Sequence, residues 1–324
     1  MNTRALCWIN QEIKPAAEAT VSVFDHGLLY GDGIFEGLRF YHGRTFMLEA
    51  HLQRLESSAR AIGLELPYSL QQISVAIEHL IEAYPGDTGY LRLVVTRGEG
   101  SLGIDPRKCA RPVLFIIADE LSVMDVDDNS QGIRLHIAQT RRLPAQCLDP
   151  QIKSLNYLNN ILARIEANQA GMDEALMLNL DGYVSEGSVD NIFIITGGVL
   201  KTPPLGDGLL AGVTRAVIIE VAGRAGIPCE ETSLTPQDLA QAEECFLTGT
   251  GAELIPVKQI GEQLLESPDV ALTPLLVQGF RERMTNIAAG IGRALSRAGM
   301  LIPCQPQRRK APPCEPPAWR NRPR

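Results

Sequence analysis

Between residues 174 and 202 the chain twice runs a short apolar stretch into a glycine-bearing turn and out into a second stretch. The first is EALMLN-LDG-YVSEG, turning at Asp181-Gly182, and the second is NIFIIT-GG-VLKT, turning at Gly197-Gly198. Tight turns of this kind need positive φ, which glycine adopts without steric cost, and they join neighbouring antiparallel strands. Two consecutive hairpins argue against a doubly wound parallel sheet, whose strands are joined by crossovers. No GxGxxG follows a first strand, so a dinucleotide-binding fold has little support.

The rest of the chain mixes both periodicities. VSVFDHG and RTFMLEAH read as strand material, and YLRLVVTRG and PVLFIIADE as β-branched strands. HLQRLESSARAIG places Leu52, Leu55, Ala59 and Ile62 on one helical face, and SLQQISVAIEHLIEAY predicts a helix capped by Ser69. Acidic SVMDVDDNSQG follows as a linker. The second half opens with the strand GIRLHIAQT, continues with a helix at NYLNNILARIEANQAG that Gly171 ends, and adds an amphipathic helix at VTRAVIIEVAGRAGI. ECFLTGTGAELIPV reads as a strand leaving through a loop of small residues. At 324 residues, the chain suits two domains of ~150 residues each. The expected architecture is α+β. It has a small N-terminal domain (1–120), a linker (121–132), a large C-terminal domain (133–287) and an extension (288–324) disordered from about residue 302.

Composition narrows the function. The apolar share of 45% and charged share of 21% are those of a globular protein. No apolar run reaches the ~18 residues of a membrane span, and the first residues lack the pattern of a signal peptide. Seven scattered cysteines without a CxxC argue against a disulfide framework and a zinc knuckle, and favour a cytoplasmic protein. Residues 302–324 carry a net +5, so the remainder carries −13 of the total −8. An acidic body of this kind is not a general nucleic-acid binder. The five histidines form no HxH or HExxH, and there is no serine elbow or Walker A pattern, so no metal site is expected.

A few residues could carry chemistry. Of six lysines, Lys153 alone stands between a strand and a helix. There its amine could be fixed and desolvated, which lowers its pKa and makes it a nucleophile; a surface lysine near a turn is the plainer reading. Glu186, at the end of YVSEG, is either solvated or placed to hold a cationic ring nitrogen. TGTGAEL (Thr248 to Leu254) and AGVTR (Ala211 to Arg215) each suit a phosphate through open N–H groups. Arg54 lies beside the apolar face of its helix, where snorkelling is the ordinary outcome. YGDGIFEGLRF spends three glycines in eleven residues, which suggests a bend or a close ligand approach. Tyr90 and Arg92, at i and i+2 of a strand, share a face suited to a carboxylate, or simply to a surface acid.

Taken together and in order, YGDGIFEGLRFYHGRTFMLEAHLQRLESSA, IKSLNYLNNILARIEA, DEALMLNLDGYVSEGSVDNIF, LAGVTR and FLTGTGAELIPV resemble the class IV (fold type IV) pyridoxal-phosphate aminotransferases. The branched-chain amino acid aminotransferases are the nearest branch, and the resemblance runs from about residue 5 to about 287. It implies that Lys153 binds the cofactor covalently and shuttles a proton. It implies that Glu186 pairs with the pyridine nitrogen and Tyr157 with the phenolic oxygen. The phosphate falls to Arg54, Thr214, Thr250 and the backbone of Val213. The substrate α-carboxylate falls to Tyr90 and the N–H groups of Thr250 and Gly251, and a distal carboxylate to Arg92 with Tyr30. Phe35 and Tyr30 would line the side-chain pocket, with Arg39 nearby. Tyr157 follows Lys153 by four residues, where well-known members have five.

The implied activity is transamination of leucine, isoleucine and valine with 2-oxoglutarate, giving branched 2-oxo acids and L-glutamate. D-amino acid transamination and aminodeoxychorismate lysis occur on the same fold, and a non-catalytic cofactor binder is a rival from another class. The resemblance also implies a homodimer or higher homo-oligomer, with GEGSLGIDPR (Gly98 to Arg107) crossing to the neighbouring subunit. No nucleic-acid or membrane partner is expected.

Overall fold

The computed structural model describes residues 4–121, 132–265 and 271–288. The expected linker and the C-terminal extension fall almost wholly outside the described residues. The chain forms two sheets in sequence order. The first contains β1 (Leu6–Ile9), β2 (Glu12–Pro15), β3 (Gly33–Tyr41), β4 (Arg44–Thr45), β5 (Gly89–Thr96) and β6 (Val113–Asp119), in the spatial order β2-β1-β6-β5-β3-β4. Every pairing in it is antiparallel. Two helices, α2 (Leu48–Ala61) and α3 (Leu70–Ala83), bury one face of this sheet, while the five-residue α1 (His26–Tyr30) precedes β3. Leu55, Ile77 and Leu80 are fully buried against Ile34, Leu38, Phe40, Leu91 and Ile116. Each such side chain contributes ~1.5–3 kcal/mol on burial. Ser69 caps α3 in a reciprocal pair with Gln72, as its sequence predicts.

The second sheet has nine strands: β7 (Ile133–Ile137), β8 (Glu174–Leu178), β9 (Val184–Gly187), β10 (Asn191–Thr196), β11 (Val199–Thr202), β12 (Cys229–Glu231), β13 (Glu244–Gly249), β14 (Glu253–Ile260) and β15 (Gln263–Leu264). Its spatial order is β12-β11-β10-β13-β14-β7-β8-β9, with β15 paired to β14. The two hairpins form as expected, and Gly182, Gly197 and Gly198 all have positive φ. The sheet is mixed. β7 and β8 run parallel across α4 (Leu158–Gln169), and β11 and β12 run parallel across α5 (Val213–Arg224), because a parallel pair needs a long crossover. A short α6 (Pro236–Ala240) and a longer α7 (Thr273–Ala288) complete the described chain.

The structure corrects several readings. VSVFDHG is not a strand: the Asp25 carboxylate accepts from Gly27 N at 2.7 Å and caps α1, and Thr96 Oγ1 donates to the same carboxylate. In RTFMLEAH only Arg44 and Thr45 are strand. The helical spacing of Leu52, Leu55 and Ala59 extends back to Leu48, and α2 begins there. Phe46 points away from α2's core and packs instead with Phe193, Phe246, Leu276 and Phe280, so the corner after β4 is plugged into the second sheet's layer. YGDGIFEGLRF does not bend within β3. A Cβ at Gly37 would lie 2.1 Å from the Tyr90 hydroxyl, so the glycine makes room for a ring on the neighbouring strand. α5 is not simply amphipathic, since α7 covers the face it turns from the sheet and Val217, Ile218, Val221 and Ala222 are all buried. Glu186 lies within β9 rather than beyond it.

Candidate active site

The register of β3 with β5 pairs Phe35 with Val94, Gly37 with Arg92 and Arg39 with Tyr90. Alternation then puts Phe35, Gly37, Arg39, Tyr90 and Arg92 on one face, opposite the face that α2 and α3 cover. β4 pairs only with Phe40 and Tyr41, so the first half of β3 has an open edge. Residues 153–155 fill it. Phe35 N donates to Lys153 O at 3.0 Å, Leu155 N donates to Gly33 O at 2.9 Å, and Ser154 bridges Ile34. From the other side Lys153 N donates to Ser58 Oγ on α2. This pairing fixes the lysine backbone before its side chain meets any ligand.

The Lys153 amine donates to the Tyr157 hydroxyl at 3.3 Å and lies 4.6 Å from the centre of the Phe35 ring. No carboxylate pairs with it among the described residues. Burial, and then the positive charge of Arg54, lower its pKa to about 8, against the opposing pull of Glu36 and Glu186. Half the amines are therefore neutral near that pH, which is what a nucleophilic lysine needs. Tyr157 stands edge-on to Phe35, and burial raises its phenol.

The same cleft is lined by Arg142, Asn160, Glu186 and Leu210. Glu186 meets Arg142 Nη2 at 2.8 Å and accepts from Leu210 N at 3.0 Å. Burial raises its carboxyl above the usual range, with Arg142 pulling the other way. Asn191 links the surroundings. Its Nδ2 donates to Glu186 and to Leu210 O, and its backbone lies opposite Thr248 at the end of β13. A Cβ at Gly212 would come within 2.0 Å of its Oδ1. The start of α5 is thus drawn in close. Gly212 offers no capping side chain there, and Val213 and Thr214 sit in the first turn. Arg54 donates from Nη1 to Ala211 O at 2.8 Å, which brings that guanidinium to the same helix end. Thr250 and Gly251 form the turn between β13 and β14. Behind it, Asp190 is packed so tightly that a Cβ on Gly249 would lie 2.0 Å from its Oδ1. Burial, then Glu174 and Glu186, push the Asp190 carboxyl up to about 7.

Arg92 lies over Phe35 at 4.6 Å and Tyr90 at 5.5 Å, and no acid pairs with it among the described residues. Burial pushes the Tyr90 phenol up against the pull of Arg92. Arg39 shares the face of Tyr90 and Arg92, and its side chain has two partners there. It donates to Tyr41 and to Glu253 at 3.3 Å, and Tyr41 donates to the same Glu253 oxygen at 2.6 Å. Arg39 thereby ties β3 to the end of the Thr250–Gly251 turn. The Tyr30 hydroxyl accepts from Gly103 N at 2.9 Å, and its ring stands edge-on to His26. The structure places Tyr30 against the 98–107 loop of its own chain. Arg142, Asn191, Asp190, Glu36 and His51 were not read from the sequence. Their signal is burial, which a single polar letter in an apolar run hints at only for Glu36.

The arrangement fits pyridoxal phosphate. It offers a buried amine with no acid on it, a buried carboxylate for a ring nitrogen, and a helix start left bare by glycine beside an arginine. The class follows: the model of the amino-transferase class IV family matches residues 33–260, and the chain belongs to that family of pyridoxal-phosphate aminotransferases. A provisionally named branched-chain-amino-acid aminotransferase of Methanocaldococcus jannaschii is 44% identical over 279 residues, covering 86% of this chain and 96% of the relative. The D-alanine aminotransferase of Listeria monocytogenes serotype 1/2a (strain 10403S) is 35% identical over 280 residues, covering 86% of this chain and 95% of its own. A solved T.th. branched-chain amino acid aminotransferase, complexed with N-(5′-phosphopyridoxyl)-L-glutamate, superposes with a TM-score of 0.79 at 31% identity. That match covers 88% of this chain and 94% of the solved one. The α+β fold is that of fold type IV, and the chain is an aminotransferase.

Proposed function

We propose that this enzyme transaminates branched-chain L-amino acids with 2-oxoglutarate. The observation that carries the reading is Arg92, a guanidinium with no acid partner among the described residues, stacked on Phe35 beside the Lys153 amine. An apolar wall with one such cation suits two kinds of side chain in turn. Leucine, isoleucine and valine lie on Phe35, and glutamate or 2-oxoglutarate extends its distal carboxylate to Arg92, with Tyr30 at the margin. Thr250 and Gly251 N–H groups, with Tyr90, receive the α-carboxylate.

Pyridoxal phosphate, when bound, supplies the carbonyl that takes the amino group and a ring that accepts an electron pair. The chain does the rest. Lys153 would take the proton from the substrate Cα and return it across the linking nitrogen to the cofactor carbon C4′. Its lowered pKa keeps a useful fraction of the amine neutral. Glu186 holds a proton at the ring nitrogen, and Tyr157 directs its hydroxyl to the phenolic oxygen. Arg54, Thr214, Thr250 and the Val213 N–H hold the phosphate at the start of α5, where the helix dipole favours an anion.

We place the work in a homodimer or larger assembly. Leu102 and Ile104 are 68% and 82% exposed on the 98–107 loop, and Leu158, Ile161, Leu162 and Ile165 leave an apolar outer face on α4. Exposed apolar groups in such number mark association surfaces. The deciding experiment is visible absorbance of the purified protein during addition of L-leucine, then 2-oxoglutarate. Bleaching by L-leucine and recovery with 2-oxoglutarate support the reading. Bleaching only by D-alanine would move the enzyme to the D-amino acid branch, a reading favoured by the Listeria relative.

A further inference from the structure

β3 carries one acid in its core-facing row. Ile34, Leu38 and Phe40 of that row are apolar and fully buried, and Glu36 among them is 0% exposed. A buried carboxylate is costly unless paired and hydrogen-bonded. Among the described residues, Glu36 is supplied from α2 alone. Arg54 Nε donates to Oε1 at 2.8 Å, Arg54 Nη2 to Oε2 at 2.7 Å, and His51 Nδ1 meets Oε2 at 2.8 Å. The pairing overcomes burial and holds the Glu36 carboxyl down to about 2. Burial keeps His51 below its ordinary value, hence neutral. A neutral ring beside a carboxylate carries its proton on Nδ1, a tautomer assigned from that contact. His51 Nε2 is then buried with no hydrogen-bond partner among the described residues. His51 therefore adds a hydrogen bond to Glu36 and no charge.

A guanidinium has five N–H bonds. Glu36 takes two of Arg54's and Ala211 O takes a third. Two remain, one on each terminal nitrogen. The plane of the group is thus set by bonds to β3 on one side and to the approach to α5 on the other, before any anion is present.

We propose that Glu36, backed by His51, is the positioning residue that aims Arg54 at the cofactor phosphate. The proposal rests on the reading that Arg54 holds that phosphate. Glu36 lies fully buried in the core-facing row of β3 and acts through Arg54. It fixes the donor pair and offsets the Arg54 charge, so that recognition depends on directed N–H groups and not on a loose cation.

The test compares the affinity of the cofactor-free protein for pyridoxal phosphate and for pyridoxal, which lacks the phosphate, through visible absorbance. Glu36→Gln should weaken pyridoxal phosphate about 10–100-fold, the usual cost of losing an orienting partner. It should leave pyridoxal within about threefold, and should add nothing in an Arg54→Ala background. Should Glu36→Gln fold poorly, His51→Leu gives a smaller loss of the same phosphate-specific kind. His51→Asn, which keeps a donor near the Nδ1 position, restores most of it. Equal weakening of both ligands, or of neither, by Glu36→Gln and His51→Leu would overturn the proposal. If Arg54→Ala fails to change the ratio between the two ligands, Arg54 does not hold the phosphate, and the proposal falls with that reading.

Discussion

Arg54 and Arg92 both act on Lys153, and both lower its pKa, yet they stand in opposite electrostatic settings. Arg54 is bound on two nitrogens by a fully buried carboxylate, and its plane is fixed. Arg92 lies over the rings of Phe35 and Tyr90, shares a hydrogen bond with the Tyr90 hydroxyl, and has no acid partner among the described residues. A compensated guanidinium contributes geometry, while an uncompensated one contributes charge. The first suits a group that stays in place through every turnover. The second suits a position that must accept an anion in one half of the reaction and an apolar chain in the other. A cation–π contact of ~0.5–2 kcal/mol can be covered or released at little cost, whereas breaking a buried ion pair costs ~3–5 kcal/mol.

Lys153 is the point on which the charges of both cations converge. Lys153→Ala should therefore lower turnover of L-leucine most, by roughly 10²–10⁴-fold as loss of a positioned acid–base group does. A steady-state assay in which the variant keeps a tenth of the activity would show that Lys153 is not the acid–base group. Next in size, Arg92→Ala should reduce kcat/KM for 2-oxoglutarate about 10–100-fold, the worth of a charge-assisted bond. L-Leucine should stay within about threefold, and equal losses would show that Arg92 contributes no more than Arg54 does. A smaller effect concerns protons. Covalent capture of pyridoxal phosphate by the cofactor-free protein should rise with pH through a midpoint near 8, because the neutral Lys153 amine is the reactive form. In Arg92→Ala the midpoint should move upward, since a charge that disfavours the ammonium is gone. Stopped-flow absorbance at several pH values measures both. Smallest of all, Gly37→Ala would crowd the Tyr90 ring beside Arg92. It should cost ~1–3 kcal/mol, read as a drop of a few degrees in Tm and a modest rise in KM for L-leucine.

What the sequence disclosed depended on the range of the interaction. YLRLVVT, VLFIIAD, the Ser69-capped helix and the two glycine turns are local patterns, and each became the element expected. VSVFDHG failed because Asp25 caps α1 through Gly27 N and is held there by Thr96, a distant residue that no window contains. Lys153 was legible only through the company of four other motifs. The pairing of residues 153–155 with the edge of β3 joins segments more than a hundred residues apart. Asn191 and Arg142 lie in unremarkable contexts and gain meaning from what folds onto them. Arg39 was read as a candidate near the substrate, and what the sequence did not show is that its side chain is engaged by Tyr41 and by Glu253, which lies far along the chain.

Phe46 is made early and buried late. The first sheet has its own core, which is almost complete when the ribosome has released residue 119. The slot for Phe46, however, is built from Phe193, Phe246, Leu276 and Phe280, the last of which follows it by about 230 residues. At roughly 5–20 residues per second of synthesis, the corner after β4 must wait on the order of tens of seconds with Tyr41, Phe46 and Met47 uncovered. A chaperone that binds apolar segments would find its opening there, on a nascent chain whose amino-terminal sheet is otherwise folded.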